Sequence, residues 1–265
     1  MPRPHVTVWD DTEGIGPPAI LVHGSTSWGD DPAFGFAAQR PLAARARLLA
    51  LDRRGHGDSP AAAEFTSDYL ADADDIADLL GRGAHLVGHS YGAVGAMLAA
   101  ARRPEAVLSL ALIEPGCYQV ARDDPAVAEA LRLNREAYAN APADLSPEDS
   151  LRGASEAFGL PPIEPTPRRL RAARAAADER LCWEADIPVA PLARAPWPKL
   201  VISGTWERAP EPYRERGGEP IMACARVTAR RIGARHLSVP GTAHYPHVED
   251  PATVNTALAT LWTQP

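Results

Sequence analysis

The sequence predicts an α/β fold: a mostly parallel central sheet flanked by helices, with one helical insertion. Three observations carry this. Short uninterrupted apolar runs recur, as strands buried on both faces require. Segments with apolar residues at helical spacing lie between them, which is the alternation of crossover units. A stretch from about Tyr118 to Arg194 has no strand pattern and splits the alternation in two.

Val6-Thr-Val-Trp9 alternates as a strand does, and Gly14 to Pro18 breaks it. Ala19-Ile-Leu-Val22 is apolar throughout and sits between Pro18 and Gly24; Leu48-Leu-Ala-Leu51 and His85-Leu-Val-Gly88 read the same way. Phe65 to Leu80 carries Leu70, Ala73, Ile76, Ala77 and Leu80 at helical spacing. Ala93 to Arg103 is a second helix ended by Pro104, and Leu108 to Ile113 is a further buried strand. In the insertion, Val127, Leu131 and Tyr138 mark a helix, Ser146-Pro-Glu-Asp149 opens another, and Thr166-Pro167 starts a third reaching about Trp183. Four prolines, at 188, 191, 196 and 198, close the insertion. The alternation then resumes with the strand Lys199 to Ser203, a helix over Glu219 to Arg231, the strand Arg235 to Val239, and a last helix from Asp250-Pro251 to Trp262. The expected organisation is a core of residues 1–116 and 196–265 with a helical lid over 117–195.

Composition narrows the function classes. The chain has 265 residues, with 27 Lys and Arg against 34 Asp and Glu, a net charge of −7. It offers no basic surface for nucleic acid or anionic membrane. The longest apolar run, Gly92 to Ala101, is about half of a membrane span. Met1-Pro-Arg-Pro-His-Val6 has no apolar secretory region, and Cys117, Cys182 and Cys224 are too few and scattered for a disulfide framework or a metal site. A soluble, cytoplasmic protein is expected, free to self-associate but with no visible interface motif.

Gly88-His-Ser-Tyr-Gly92 follows a predicted strand and opens a predicted helix. In that context a G-x-S-x-G turn thrusts its serine out at a helix N-terminus, where amides favour developing negative charge, so Ser90 is the candidate nucleophile. His23-Gly24-Ser25 ends an earlier strand, and the amides of Ser25 and Tyr91, with Gly24 nearby, are the candidate oxyanion hole. Asp52-Arg-Arg-Gly-His-Gly-Asp-Ser59 follows the next strand. In this order the three motifs resemble those of the α/β-hydrolase fold superfamily, over nearly the whole chain outside the lid. The resemblance implies a lid inserted after the sixth strand, and a structural loop, without a catalytic role, at Asp52, Arg53, Arg54 and His56. Gly241-Thr-Ala-His244-Tyr-Pro-His247-Val-Glu-Asp-Pro251 is similar to the family's C-terminal motif, with Ala243 in place of a second Gly, and implies His244 as general base. His247 and His89 read as packing residues.

The acid has two candidates. Glu207, in Gly204-Thr-Trp-Glu207-Arg-Ala-Pro210, matches the position where most of the family has Asp, but its longer side chain would have to fold back. Glu114, in Leu112-Ile-Glu-Pro115, ends an apolar strand 24 residues after Ser90. A charge there needs a partner, and strand ends at this edge point at the site. The zearalenone-lactonase branch is similar in having Glu followed closely by Pro at such a place. Glu114 is therefore preferred over Glu207.

Trp28, Tyr91, Tyr118, Phe158, Trp183 and Trp206 are the expected pocket wall, suited to a small hydrophobic ester or lactone. No metal or cofactor is implied. The expected function is a serine esterase or lactonase acting through an acyl-enzyme. C–C bond hydrolysis or cofactor-free perhydrolysis by the same triad, and a non-catalytic small-ligand receptor on the same fold, are the alternatives. Haloalkane dehalogenase and epoxide hydrolase chemistry on this fold needs an aspartate where Ser90 stands.

Overall fold

A computed structural model gives the structure of residues 2–13, 16–141, 145–157 and 162–264. A seven-stranded sheet forms the centre, in the order β1-β3-β2-β4-β5-β6-β7. The strands are β1 (Val6–Trp9), β2 (Ala19–Val22), β3 (Leu48–Leu51), β4 (Ala84–His89), β5 (Val107–Ile113), β6 (Lys199–Gly204) and β7 (Arg235–Val239). β1 runs antiparallel to β3 at one edge, and every other pairing is parallel. β2, β3 and β4 are buried along their whole length, which is why they read as unbroken apolar runs rather than alternating ones.

Two apolar layers cover the sheet. On one face α1 (Tyr69–Leu79), α2 (Tyr91–Arg102) and α7 (Glu219–Ile232) pack through Ile76, Val94, Met97, Ala225 and Ile232 against Ile20, Leu86, Leu110 and Val201. On the other, the C-terminal helix Pro251–Trp262 packs through Val254, Leu258 and Leu261 against Leu21, Val87, Ala111 and Ile202. Asp68 caps α1 through a side-chain bond to Leu70 N, so this helix starts four residues later than the apolar pattern alone places it.

The insertion carries α3 (Pro125–Ala139), α4 (Pro147–Ala157), α5 (Pro167–Ala177) and α6 (Val189–Arg194), without a strand among the described residues. It follows the fifth strand, not the sixth expected from the resemblance, because the described residues between Val6 and Ile113 form five strands. α5 also ends earlier than predicted. Its C-cap is Asp178, whose carboxylate accepts from Thr66 N and Oγ1 in the core, and Glu179 then forms an isolated bridge with Ser67. The sequence Ala-Ala-Asp-Glu-Arg contains no helix breaker, so this stop is set by tertiary contact. No described helix is long and apolar enough to cross a membrane.

Candidate active site

The parallel strands bring three distant residues to one sheet edge. Ser90 sits between β4 and α2 with φ +51° and ψ −116°, a backbone conformation that costs energy in any non-glycine residue. Its neighbours make room for it. A Cβ on Gly88 would lie 2.6 Å from Ala93 Cα, and one on Gly92 would lie 2.4 Å from the carbonyl oxygens of Val22 and His23. Only glycine permits this crossing of backbones. Ser90 N donates to Ile113 O (2.9 Å), which fastens the turn to the end of β5.

His244 lies in the loop after β7, and its Nε2 is 3.1 Å from Ser90 Oγ. The loop is clamped from both sides of the residue. Glu249 accepts from Ala243 N and from Tyr245 N, each at 2.9 Å, and His89 Nε2 donates to His244 O (2.9 Å). Glu114, at the end of β5 with φ +47°, places Oε2 3.5 Å from His244 Nδ1. The same carboxyl accepts from Gly204 N (2.7 Å) and Trp206 Nε1 (3.2 Å). Glu207 is exposed and makes no ion pair with His244, so the geometry does not bring this second acid candidate to the imidazole.

Burial sets the electrostatics. It pushes the Glu114 carboxyl up to about 8, although two N–H donors favour its anion. It pushes the His244 imidazole down to about 3, so the ring is neutral at pH 7 and can accept a proton at Nε2. His89 and His247, also fully enclosed, are driven well below their ordinary value and stay neutral. His247 packs between the rings of Phe36 and His89.

Gly24 and Ser25 run directly beside Ser90. A Cβ on Gly24 would lie 3.1 Å from Ser90 Cβ. Ser25 shares a cavity with Ser90, and Tyr91 is the first residue of α2, whose opening N–H groups have no intrahelical partner. His23 supports the loop instead of facing substrate: Nδ1 donates to Gly24 O (2.7 Å) and Nε2 accepts from Arg53 N (3.0 Å). Four of the five described non-glycine residues with positive φ, namely Thr26, Ser90, Glu114 and Trp206, surround this edge. Such strain gathers at functional sites.

The cavity measures about 660 Å³, with Ser90 and His244 in its wall beside Tyr118, Trp183, Tyr213, Ile221 and Tyr245. Tyr118 and Trp183 thus lie where the sequence reading put them. Trp206, Trp28 and Tyr91 do not. Trp206 is fully buried and serves Glu114. The Trp28 ring lies under the guanidinium groups of Arg168 and Arg169, and the Tyr91 ring under that of Arg53, with its hydroxyl donating to Arg180 O. Each stands next to a motif residue but faces away from the cavity, because neighbours in an extended or turning backbone point apart. Phe158 lies outside the described residues. A larger cleft of about 920 Å³ near α3 and α7 has mostly charged walls and holds none of the predicted residues. His5, Asp52 and Asp58 are close enough to hold a cation, but Arg168 already stands 3.5 Å from Asp52 and 3.1 Å from Asp58.

A profile of the alpha/beta hydrolase family matches residues 19–257, nearly the whole sheet and the insertion. The chain belongs to this family. Among curated relatives, the pimeloyl-[acyl-carrier protein] methyl ester esterase of Methylococcus capsulatus is 37% identical over 103 residues, 39% of either chain. The 2-(acetamidomethylene)succinate hydrolase of Mesorhizobium japonicum is 41% identical over 108 residues, 38% of this chain and 37% of that one. The chain thus spans about two fifths of the curated relatives that it matches. The crystal structure of the enol-lactonase from Burkholderia xenovorans shares the fold of this alpha/beta hydrolase, with a TM-score of 0.62 at 20% identity over 98% of this chain and 96% of that one.

The clamp made by Glu249 was missed in the sequence, although His247-Val-Glu-Asp-Pro251 lies within the motif that carries His244. Glu179, treated below, has no sequence signal at all.

Proposed function

We propose that the protein is a serine hydrolase of carboxylic esters or lactones, with Ser90 as nucleophile, His244 as general base and Glu114 as the acid that orients it. The observation that carries this is the hydroxyl–imidazole–carboxyl line: 3.1 Å from Ser90 Oγ to His244 Nε2, then 3.5 Å from Nδ1 to Glu114. The related methyl ester esterase and the enol-lactonase of like fold are named for the same two bond types. The helices α3 to α6 of the insertion cap the site on this reading, and Tyr118 and Trp183 give the cavity an apolar wall for the acyl or alcohol part of a hydrophobic substrate.

In the first half-reaction Ser90 Oγ bonds to the carbonyl carbon and its proton passes to His244 Nε2. The carbonyl electrons move onto oxygen, which rests on the amides of Ser25 and Tyr91. The positive charge that develops on the imidazolium offsets the burial of Glu114 and favours its anion, to which Nδ1–H turns. The C–O bond then breaks, and Nε2–H protonates the leaving alkoxide. Water repeats the sequence on the acyl-enzyme, losing its proton to Nε2, and Ser90 regains its own. With a lactone the leaving alcohol stays tethered to the acyl group. These steps need no metal and no organic cofactor.

A fluorophosphonate probe tests the nucleophile. The wild type is expected to label at Ser90, and Ser90→Ala to abolish labelling and turnover of p-nitrophenyl esters and aryl or macrocyclic lactones alike. A folded wild type that fails to label and turns over neither class would overturn the reading in favour of a ligand receptor.

A further inference from the structure

We infer that Glu179, in the segment following α5, is a positioning residue that fixes the amide of Ser25 for the developing oxyanion. This rests on the serine-hydrolase reading above. An oxyanion donor works only when it is aimed beforehand, within a few tenths of an ångström, at the place where charge develops. The Gly24-Ser25-Thr26 loop has no strand or helix to aim it. Thr26 moreover holds φ +55°, a left-handed conformation that a β-branched residue adopts only when its surroundings impose it.

Buried charged side chains impose it. Glu179, with 9% of its side chain exposed, accepts from Ser25 Oγ at 2.5 Å through one oxygen and from Arg53 Nη2 at 2.5 Å through the other. Arg53, wholly enclosed, uses the same Nη2 to donate to Gly24 O (3.2 Å) and Nη1 to hold Asp72 and Ser67 at 3.0 Å. From the other side Arg169 of α5 donates to Thr26 O (2.6 Å) while paired with Asp31. Three consecutive loop residues are therefore held at a side-chain or carbonyl oxygen by buried ionic groups. Two of these groups, Glu179 and Arg169, come from the inserted segment.

Docking of the insertion does not by itself explain Glu179. Its neighbours on both sides already tie the segment to the core: Asp178 to Thr66 N and Oγ1, and Arg180 to Asp68 (2.9 Å) and Ser67 O (3.1 Å). The Asp178 contacts are exposed, those of Arg180 end on the buried Ser67 and Asp68, and none touches the loop. Glu179 is the residue of the three that goes inward, and it ends on the hydroxyl of Ser25.

The experiment compares Ser25→Ala, Glu179→Ala, their double variant and Asp178→Ala on a p-nitrophenyl ester, with fluorophosphonate labelling of each. Ser25→Ala keeps the amide and removes only its anchor. It is expected to lower kcat about thirtyfold with KM within about twofold, since the loss falls on the transition state. Glu179→Ala is expected to match it, and the double variant to be no worse than the weaker single, as for two ends of one tether. Asp178→Ala, which cuts a tie without touching the loop, is expected to keep kcat while losing some thermal stability. Should Glu179→Ala not fold, Ser25→Ala decides. The inference is overturned if Ser25→Ala keeps kcat within twofold of wild type, or if Asp178→Ala loses as much as Glu179→Ala. Failure of the wild type itself to label would instead sink the serine-hydrolase reading.

Discussion

The strand-end wall of the cavity and the wall contributed by residues 117–195 are held in place by different forces. At the strand ends, Ser90 and Glu114 are fixed by main-chain bonds, Ser90 N to Ile113 O and Glu114 N to Ile202 O, while the amides flanking His244 donate to the Glu249 carboxylate. Beneath them lie paired strands, apolar side chains and the neutral rings of His89 and His247. Across the cavity the inserted segment is tied to the core by charges: Arg168 and Arg171 to Asp58, Arg169 to Asp31, Glu179 to Arg53, Arg180 to Asp68. The main-chain bonds of the first kind carry no net charge and are little affected by salt. The second is screened by salt where the pairs are exposed, as at Asp58, and far less where they are buried, as at Glu179 and Asp31. The two walls meet at the Gly24-Ser25-Thr26 loop, where Glu179 and Arg169 of the inserted segment reach the strand-end side.

The comparison breaks most visibly at the acid. If the reacting atoms belong to the strand ends, Glu114→Gln is expected to lower kcat by about 10³- to 10⁴-fold, because the imidazole loses the partner that fixes its tautomer and supports its charge. Glu207→Gln, at an exposed position, is expected to stay within about threefold. Steady-state kinetics with one ester decides, and the reverse order would move the acid to the loop after β6.

Acid stability gives a second, intermediate effect. His23, His56, His85, His89, His236, His244 and His247 are all held below the ordinary imidazole value of 6.5 by burial. The unfolded chain therefore binds more protons at these sites as pH falls below 6.5, and their contribution to stability, complete above that pH, is lost on acidification. Asp72, Glu114 and Glu179 oppose it, since burial raises each and the folded chain then holds protons more tightly. Seven groups outweigh three. Thermal or urea unfolding is expected to show stability falling steadily from pH 6.5 toward 4, and a flat curve there would contradict the buried neutral imidazoles.

The smallest effect sharpens the boundary between the walls. Trp206→Phe removes one of two N–H donors to Glu114 and leaves Gly204 N in place. A loss of about threefold to tenfold in kcat with unchanged KM is expected. A rise in KM instead would return Trp206 to the substrate wall.

The parts of this molecule legible in its sequence are those that repeat or crowd. Strands buried on both faces leave unbroken runs such as Ala19 to Val22, and a serine squeezed between crossing backbones leaves Gly88 and Gly92 around it. Glu114 could be reached because a lone carboxyl after Leu108 to Ile113 is costly unless used. Direction within a turn left no trace. Trp206 stands beside the loop of Glu207, yet its φ of +55° accompanies an indole that reaches inward to Glu114. The ties between insertion and core were equally invisible: Glu179 meets Ser25 across 154 residues, and no spacing rule reaches that far.

Strand order also fixes when chemistry can begin. Ser90 precedes His244 by 154 positions, and β6 and β7, which carry the imidazole to the serine, follow the whole insertion in the chain. Proteins emerge from the ribosome N-terminus first, at about 5–20 residues per second. On the proposed serine-hydrolase reading, a nascent chain therefore carries Ser90 and Glu114 for seconds without His244, and could not cleave an ester before synthesis is almost finished.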